Sequence, residues 1–272
     1  MTTPPATAAS LLAHAESVWQ AVAPVLPGFT VEVVPSIDST NTELMRRART
    51  GQDAPTLLVA ETQTAGRGRM GKSWHSRPGQ SLTFSLSLPL APADWSGLSL
   101  AVGVSLAESL HPEVRLKWPN DLWWQGRKLG GILVETASAG QGAQAPRTLV
   151  VGVGLNINRP DAAATAPAAP QALPPVPPAG VAELLLGVTA GELLGQVVPP
   201  LVRDIRRFAN AGFAAFATRF AARDALQGRE VLLSDGSSGT AAGVGTQGGL
   251  LVRLANGTLR EITSAEVSVR PC

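Results

Sequence analysis

Gly66-Arg67-Gly68-Arg69-Met70-Gly71-Lys72-Ser73 satisfies two phosphate-binding patterns at once. Gly66, Gly68 and Gly71 fit G-x-G-x-x-G, and the whole octet fits G-x-x-x-x-G-K-[ST]. Each pattern needs a strand before the loop and a helix after it, because the helix N-terminus helps to hold the phosphates. The strand is present, since Thr56 to Glu61 is an apolar run. The helix is not: His75 to Gln80 contains Pro78 and Gly79, and Ser81 to Leu88 then alternates Leu82, Phe84, Leu86 and Leu88 with Ser and Thr, the pattern of a half-buried strand. Both matches are therefore local coincidences. The residues keep their chemistry all the same. Glycines let the backbone turn tightly and approach a ligand. If the loop is extended, alternation aims Arg67 and Arg69 to one side, where a guanidinium pair suits a phosphate or a carboxylate. The alternative is a solvated turn whose arginines contact nothing.

Upstream of the loop, Val31 to Val34 reads as a short strand, and Asp38-Ser39-Thr40-Asn41 followed by Glu43 caps a helix running to about Thr50. Leu11, Leu12, Ala15, Val18, Trp19 and Val22 recur at helical spacing, and Pro24 and Pro27 end that helix. Downstream, Gly97 to Leu110 has a helical period, and Val114 to Trp118 is strand-like. The strand character resumes at Leu122 to Trp124 after the Pro119-Asn120-Asp121 turn. Gly131 to Thr136 and Thr148 to Val153 form a hairpin across a Gly/Ala/Gln-rich loop. Arg159 to Gly180 is a Pro/Ala stretch of the kind that makes a flexible surface insertion. Val181 to Arg223 is helical in composition, but Pro199-Pro200 must break or kink it. From Gly228 onward, short β runs (Glu230–Leu233, Leu250–Leu254, Leu259–Ile262, Val267–Val269) alternate with turns such as Asp235-Gly236 and Asn256-Gly257. That tail reads as a small antiparallel β domain.

Composition narrows the chemistry. With 44% hydrophobic and 15% charged residues, the 272-residue chain can build a sizeable core and is not broadly disordered. The single cysteine, Cys272, argues against a disulfide framework, a Cys-based metal site and a Cys nucleophile. No apolar run approaches a membrane span, and no positive n-region precedes an apolar stretch. A soluble, reducing, cytoplasmic setting is the expectation. The net charge of +2 says little about a nucleic-acid partner, but no Lys or Arg occurs before Arg46.

Two further segments carry polar groups beside glycines. Lys117-Trp118-Pro119-Asn120-Asp121-Leu122 leads through Gly126 to Arg127-Lys128-Leu129-Gly130-Gly131-Ile132-Leu133-Val134-Glu135. A lysine beside glycines at a strand start can reach a ligand that comes close to the backbone; the plainer reading of Lys128 is an edge-strand lysine. Trp118, Trp123 and Trp124 read as core or interface residues. Gly152-Val153-Gly154-Leu155-Asn156-Ile157-Asn158 places glycines and asparagines after an apolar strand, an arrangement suited to a planar polar ligand.

Together, Asp38-Ser39-Thr40-Asn41, Glu61-Thr62-Gln63-Thr64-Ala65 running into GRGRMG and Trp74, then KWPNDL, RKLGGILVE and GVGLNIN resemble the biotin–protein ligase family in order and spacing, over roughly residues 35 to 270. The resemblance implies an α+β fold: a mixed β-sheet catalytic domain with flanking helices, related to lipoate ligases and class II synthetases, and a C-terminal SH3-like β-barrel. The corresponding division is an N-terminal helical extension at 1–34, a catalytic domain at 35–224 and the small domain at 225–272. It further implies ATP-dependent, AMP-forming ligation of biotin to a lysine of a biotin carboxyl carrier protein, the acetyl-CoA carboxylase subunit, through biotinyl-5'-AMP, with Mg²⁺ assisting. By the same resemblance, Ser39, Thr40, Asn41, Gln63, Gly66, Arg67, Lys128 and Gly131 hold biotin. Arg69, Trp74, Asn120, Asp121 and Asn156 serve ATP or the adenylate. Arg67, Arg69 and Lys128 are the catalytic cations; metal ligands are not implied. Many bacterial relatives carry an N-terminal winged helix; here 34 residues without a basic side chain precede the core, so no DNA binding is expected, and no membrane partner. A homodimer is compatible with the family. The rival readings are a lipoate–protein ligase of the same fold, a biotin sensor without catalysis, and a nucleic-acid module on the C-terminal barrel. The tail's few basic and aromatic residues speak against the last.

Overall fold

The computed structural model describes residues 6–138, 147–160, 177–233, 236–263 and 269–271. Its centre is the strand that follows the glycine–arginine loop, β3 (Ser81–Leu90), which is buried on both faces except at Pro89. The expected half-burial is corrected here. Leu82, Phe84, Leu86 and Leu88 do enter the main core, but the alternating Thr83, Ser85 and Ser87 are also buried; Thr40 bonds to Ser85 and Trp74 to Thr83 from above that side of the sheet.

β3 lies third in a seven-stranded sheet of order β1-β2-β3-β7-β6-β5-β4, with β1 at Thr30–Ile37, β2 at Thr56–Gln63, β4 at Arg115–Lys117, β5 at Asp121–Trp124, β6 at Arg127–Ser138 and β7 at Arg147–Asn156. β1 and β2 run parallel and every other neighbour is antiparallel, so the sheet is mixed. The parallel step requires a crossover, supplied by α2 (Thr40–Arg49), whose N-cap Ser39 accepts from Thr42 N. Leu44, Met45 and Ala48 of α2 pack on Leu58 and Val150, the opposite face from the main core. That main core receives α1 (Ala6–Val22), α3 (Leu98–Leu110) and α4 (Ala190–Ala211). Leu11, Ala15, Val18 and Val22 of α1 join it directly, so this helix packs with the seven-stranded sheet.

The expected break at Pro199-Pro200 does not occur: α4 runs through both prolines. Two ring nitrogens lack a proton to donate, but nine residues of α4 are buried and its capping box at Thr189 and Glu192 is complete. Tertiary packing outweighs the local cost here. Residues 161–176 of the Pro/Ala stretch lie outside the described residues. Where the chain re-enters, Lys128 N donates to Pro177 O and Ala179 N donates to Lys128 O, at 2.9 and 2.8 Å. β6 is therefore flanked at Lys128, and Lys128 is not on an edge strand.

After the short α5 (Ala217–Ala221), the tail folds as a five-stranded antiparallel sheet of order β11-β10-β9-β8-β12. β8 (Glu230–Leu233), β10 (Leu250–Arg253) and β11 (Leu259–Ile262) match expectation, and β12 is Val269–Pro271. β9 (Ser238–Val244) was not foreseen, because its Ser, Gly and Ala residues carry little strand signal. Val231, Leu233, Leu250, Val252 and Ile262 belong to the same core cluster as the large sheet. One buried bond joins the tail to the residue before the Pro119-Asn120-Asp121 turn: Trp118 Nε1 donates to Gly248 O at 3.0 Å. Trp118→Phe preserves bulk but strands that carbonyl, and should cost about 1–3 kcal/mol in urea unfolding. An unchanged unfolding free energy would remove the bond from the account.

Candidate active site

The sheet face that carries α2 opens beside that helix into a cavity of about 180 Å³. Its floor is built by the N-terminus of α2. Gln63 Oε1 accepts from Thr40 N at 2.7 Å and from Thr40 Oγ1 at 3.0 Å. Thr40 Oγ1 lies 2.7 Å from Ser85 Oγ, which donates to Asn41 Oδ1 at 2.8 Å. Ser39, Thr40, Asn41 and Gln63 are nearly inaccessible, so their remaining hydrogen-bonding capacity faces the cavity or one another. Two glycines of β7 permit this closeness. A Cβ at Gly152 would collide with the Asn41 amide, and one at Gly154 with the Trp74 indole. Trp74 lies on the sheet there, and its Nε1 donates to Thr83 Oγ1 at 3.3 Å.

The glycine–arginine segment forms the roof. It is not extended. Arg67 pairs across to Ser73, Gly68 N donates to Lys72 O at 2.6 Å, and Arg69–Gly71 is a 3-10 turn in which Met70 has φ 55°. No α-helix follows, which bears out the rejection of both phosphate-loop patterns. The tight turn sends the two arginines to different partners. Arg67 donates to Glu135 Oε1 at 3.0 Å. Arg69 is more deeply placed, and burial pushes its pKa below the ordinary arginine value while Asp121 acts in the opposite sense.

The far wall comes from the β4–β5 and β5–β6 turns. Lys128 Nζ donates to Asp121 Oδ1 at 2.6 Å, and Lys117 Nζ stands 3.9 Å from Asp121 Oδ2. Burial pushes the Asp121 carboxyl up, but Lys128 and Lys117 outweigh it and hold the group below the usual carboxylate range. Asn120 Nδ2 donates to Ile132 O at 2.8 Å, which fixes the turn against β6.

Ser39, Thr40, Asn41, Gln63, Arg67, Arg69, Trp74, Asn120, Asp121, Lys128 and Gly131 all line this one cavity. Two expected residues do not. Gly66 lies packed at the start of the roof, where a Cβ would collide with the Trp74 carbonyl and the Gln63 amide. Asn156 is not among the residues that line the cavity: its Nδ2 donates to Lys128 O and Ala179 O and so supports the backbone of Lys128. Sequence reasoning took Lys72 only as part of the loop and gave no role to Thr83, Ser85 or Lys117, which also line the cavity. The polar half of the β3 alternation was the available signal for Thr83 and Ser85.

The Biotin/lipoate A/B protein ligase family model matches residues 33–156, and the Biotin protein ligase C terminal domain model matches residues 228–270. The chain is 34% identical over 257 residues to the bifunctional ligase/repressor BirA of Escherichia coli, covering 90% of this chain and 75% of that protein. The chain belongs to the biotin protein ligase family. The biotin–[acetyl-CoA-carboxylase] ligase of Paracoccus denitrificans is 34% identical over 79% of this chain and 91% of its own length. The solved biotin protein ligase from Aquifex aeolicus in complex with biotin and ATP superposes with a TM-score of 0.68 at 28% identity, covering 89% of this chain and 99% of that one.

For this family member, the Lys117–Asp121–Lys128 arrangement is the first site feature to test. Asp121→Asn would leave two lysines without their counter-charge and should cost about 3 kcal/mol of stability. Because the folded carboxyl is held below its unfolded value near 3.9, its stabilising effect is full above that pH and fades as pH falls through the lower, folded value. The variant should therefore lose stability at neutral pH and show a flatter acid limb in urea titrations. Equal stability of the two proteins at pH 7 would contradict the pairing.

Proposed function

We propose that this ligase joins biotin to ATP, releasing pyrophosphate, and then passes the biotinyl group from biotinyl-5'-AMP to a lysine of a biotin carboxyl carrier protein, the subunit of an acetyl-CoA carboxylase. The supporting observation is a single cavity that combines an amide- and hydroxyl-lined floor with five cations, Arg67, Arg69, Lys72, Lys117 and Lys128, and one carboxylate, Asp121. The floor suits a neutral ring bearing N–H and C=O groups. The cations suit a carboxylate meeting a phosphate.

In the first step a biotin carboxylate oxygen attacks the α-phosphorus, and the bond to the pyrophosphate oxygen breaks. Two anions must approach; at ~4 Å and an effective dielectric of ~20, each unit pair costs about 4 kcal/mol. Arg67, Arg69 and Lys128 offset that repulsion and stabilise the charge that builds in the transition state. In the second step the carrier lysine amine attacks the carbonyl carbon of the mixed anhydride and AMP departs. No enzyme nucleophile is required. The roof loop shields the anhydride from water, with Trp74 beneath it.

Magnesium fits no protein-held site in this cavity. The described residues contain no group of three or more His, Cys, Asp or Glu side chains that could hold an ion, and Asp121 is already engaged by two lysines. A magnesium ion in the reaction would travel on the nucleotide phosphates, its common arrangement. The natural setting on this reading is the cytoplasm, where ATP, biotin and the carrier meet.

Lys128→Ala should abolish biotin-dependent pyrophosphate release; near-normal release would remove Lys128 from the chemistry. Arg69→Ala should release biotinyl-adenylate into solution, measured by filtration of the enzyme after one turnover. Tight retention would count against the roof loop as a shield.

A further inference from the structure

Glu135, on β6 beside the cavity, is shared by two partners that belong to different parts of the site. Its Oε2 accepts from Asn41 Nδ2 at 2.8 Å, and its Oε1 accepts from Arg67 Nη2 at 3.0 Å. Asn41 is part of the floor, through Ser85 and Thr40 to Gln63. Arg67 is part of the roof. One carboxylate therefore ties the floor to the roof.

The tie has a defined polarity. An ionised carboxylate only accepts, so Asn41 must turn its NH₂ toward Glu135 and its oxygen toward Ser85. The close approach of β7 at Gly152, where a Cβ would collide with the Asn41 amide, leaves that side chain little room to swing. At the other end, Arg67 Nη1 lies 3.4 Å from Thr42 Oγ1, a long contact, so the bond to Glu135 is the main restraint on its direction. A guanidinium carries five donors in a rigid fork, and engagement by Glu135 leaves it able to take a second anion. The pair is partly exposed, with Arg67 at 47% and Glu135 at 21%. An ion pair in such a setting contributes little to stability, so its consequence is orientation.

We infer that Glu135 is a positioning residue that aims Arg67 at the carboxylate of bound biotin and couples that aim, through Asn41, to the ring-binding floor. The inference rests on the biotin reading above. It is tested by measuring equilibrium binding of biotin and of biotinamide, in which a neutral amide replaces the carboxylate, to the full-length wild-type, Glu135→Gln, Arg67→Gln and doubly substituted proteins. Glutamine keeps the length of Glu135 and an oxygen for Asn41, and removes the charge facing Arg67. The Kd for biotin should rise about tenfold in Glu135→Gln, the size of one charge-assisted hydrogen bond, while that for biotinamide stays within about twofold. Arg67→Gln should behave alike, and the double variant should add little further. Should Glu135→Gln melt below the assay temperature, Glu135→Asp, whose shorter carboxylate cannot span both partners, should show the same selective loss. Equal weakening of both ligands would overturn the inference by making Glu135 a structural support of the floor. Unchanged or tighter biotin binding would overturn it by showing that Glu135 does not aim Arg67. Wild-type protein that binds neither ligand would instead overturn the biotin reading itself, and the inference with it.

Discussion

Like charges that converge must be held apart from water yet kept from unfolding the chain, and this constraint shapes the site. Five cations line a single cavity with one carboxylate among them. Asp121 stabilises Lys117 and Lys128 from inside, and Glu135 engages Arg67 from beside the cavity. The surplus of positive charge is what makes the cavity attractive to a pair of anions. In a low-dielectric, protein-lined space the same surplus acts more strongly than it would in water.

The fold delivers those charges from separate segments. Antiparallel pairing of β5 with β6 brings Asp121 opposite Gly131 and close to Lys128, while the loop after β2 carries Arg67 and Arg69 over the sheet. The parallel β1–β2 step brings in α2, whose first turn supplies Thr40 and Asn41. Gly152 and Gly154 let that helix and Trp74 lie directly on β7. The C-terminal sheet is tied to the same turn, because Trp118, whose indole N–H donates to Gly248 O, immediately precedes Pro119-Asn120-Asp121.

Much of this was legible in the sequence because it rested on local physics. The absence of a helix after Ser73 excluded the phosphate-loop folds, the Ser39 cap marked the start of α2, and the glycines behind Lys128 marked it as a lysine able to reach a ligand at a strand start. What was not legible depended on tertiary environment. The polar half of β3 reads as solvent-facing, and only the sheet order shows that Thr83 and Ser85 face a cavity. Pro199 and Pro200 look like breakers until the burial of α4 is known. Asn156 looks like a ligand-reading residue, but the returning chain at Ala179 captures its amide. An extended loop would aim Arg67 and Arg69 to one side, but two successive left-handed residues, Met70 and Gly71, turn the loop back on itself and separate their partners.

The central claim is that guanidinium and ammonium groups from two distant segments meet around a carboxylate and a phosphate. A crystal structure of the protein with biotin and ATP tests it most directly. The account predicts Arg67, Arg69 and Lys128 within hydrogen-bonding distance of the carboxyl and α-phosphate oxygens. Ligands bound elsewhere, or bound here with those three side chains turned away, would contradict it.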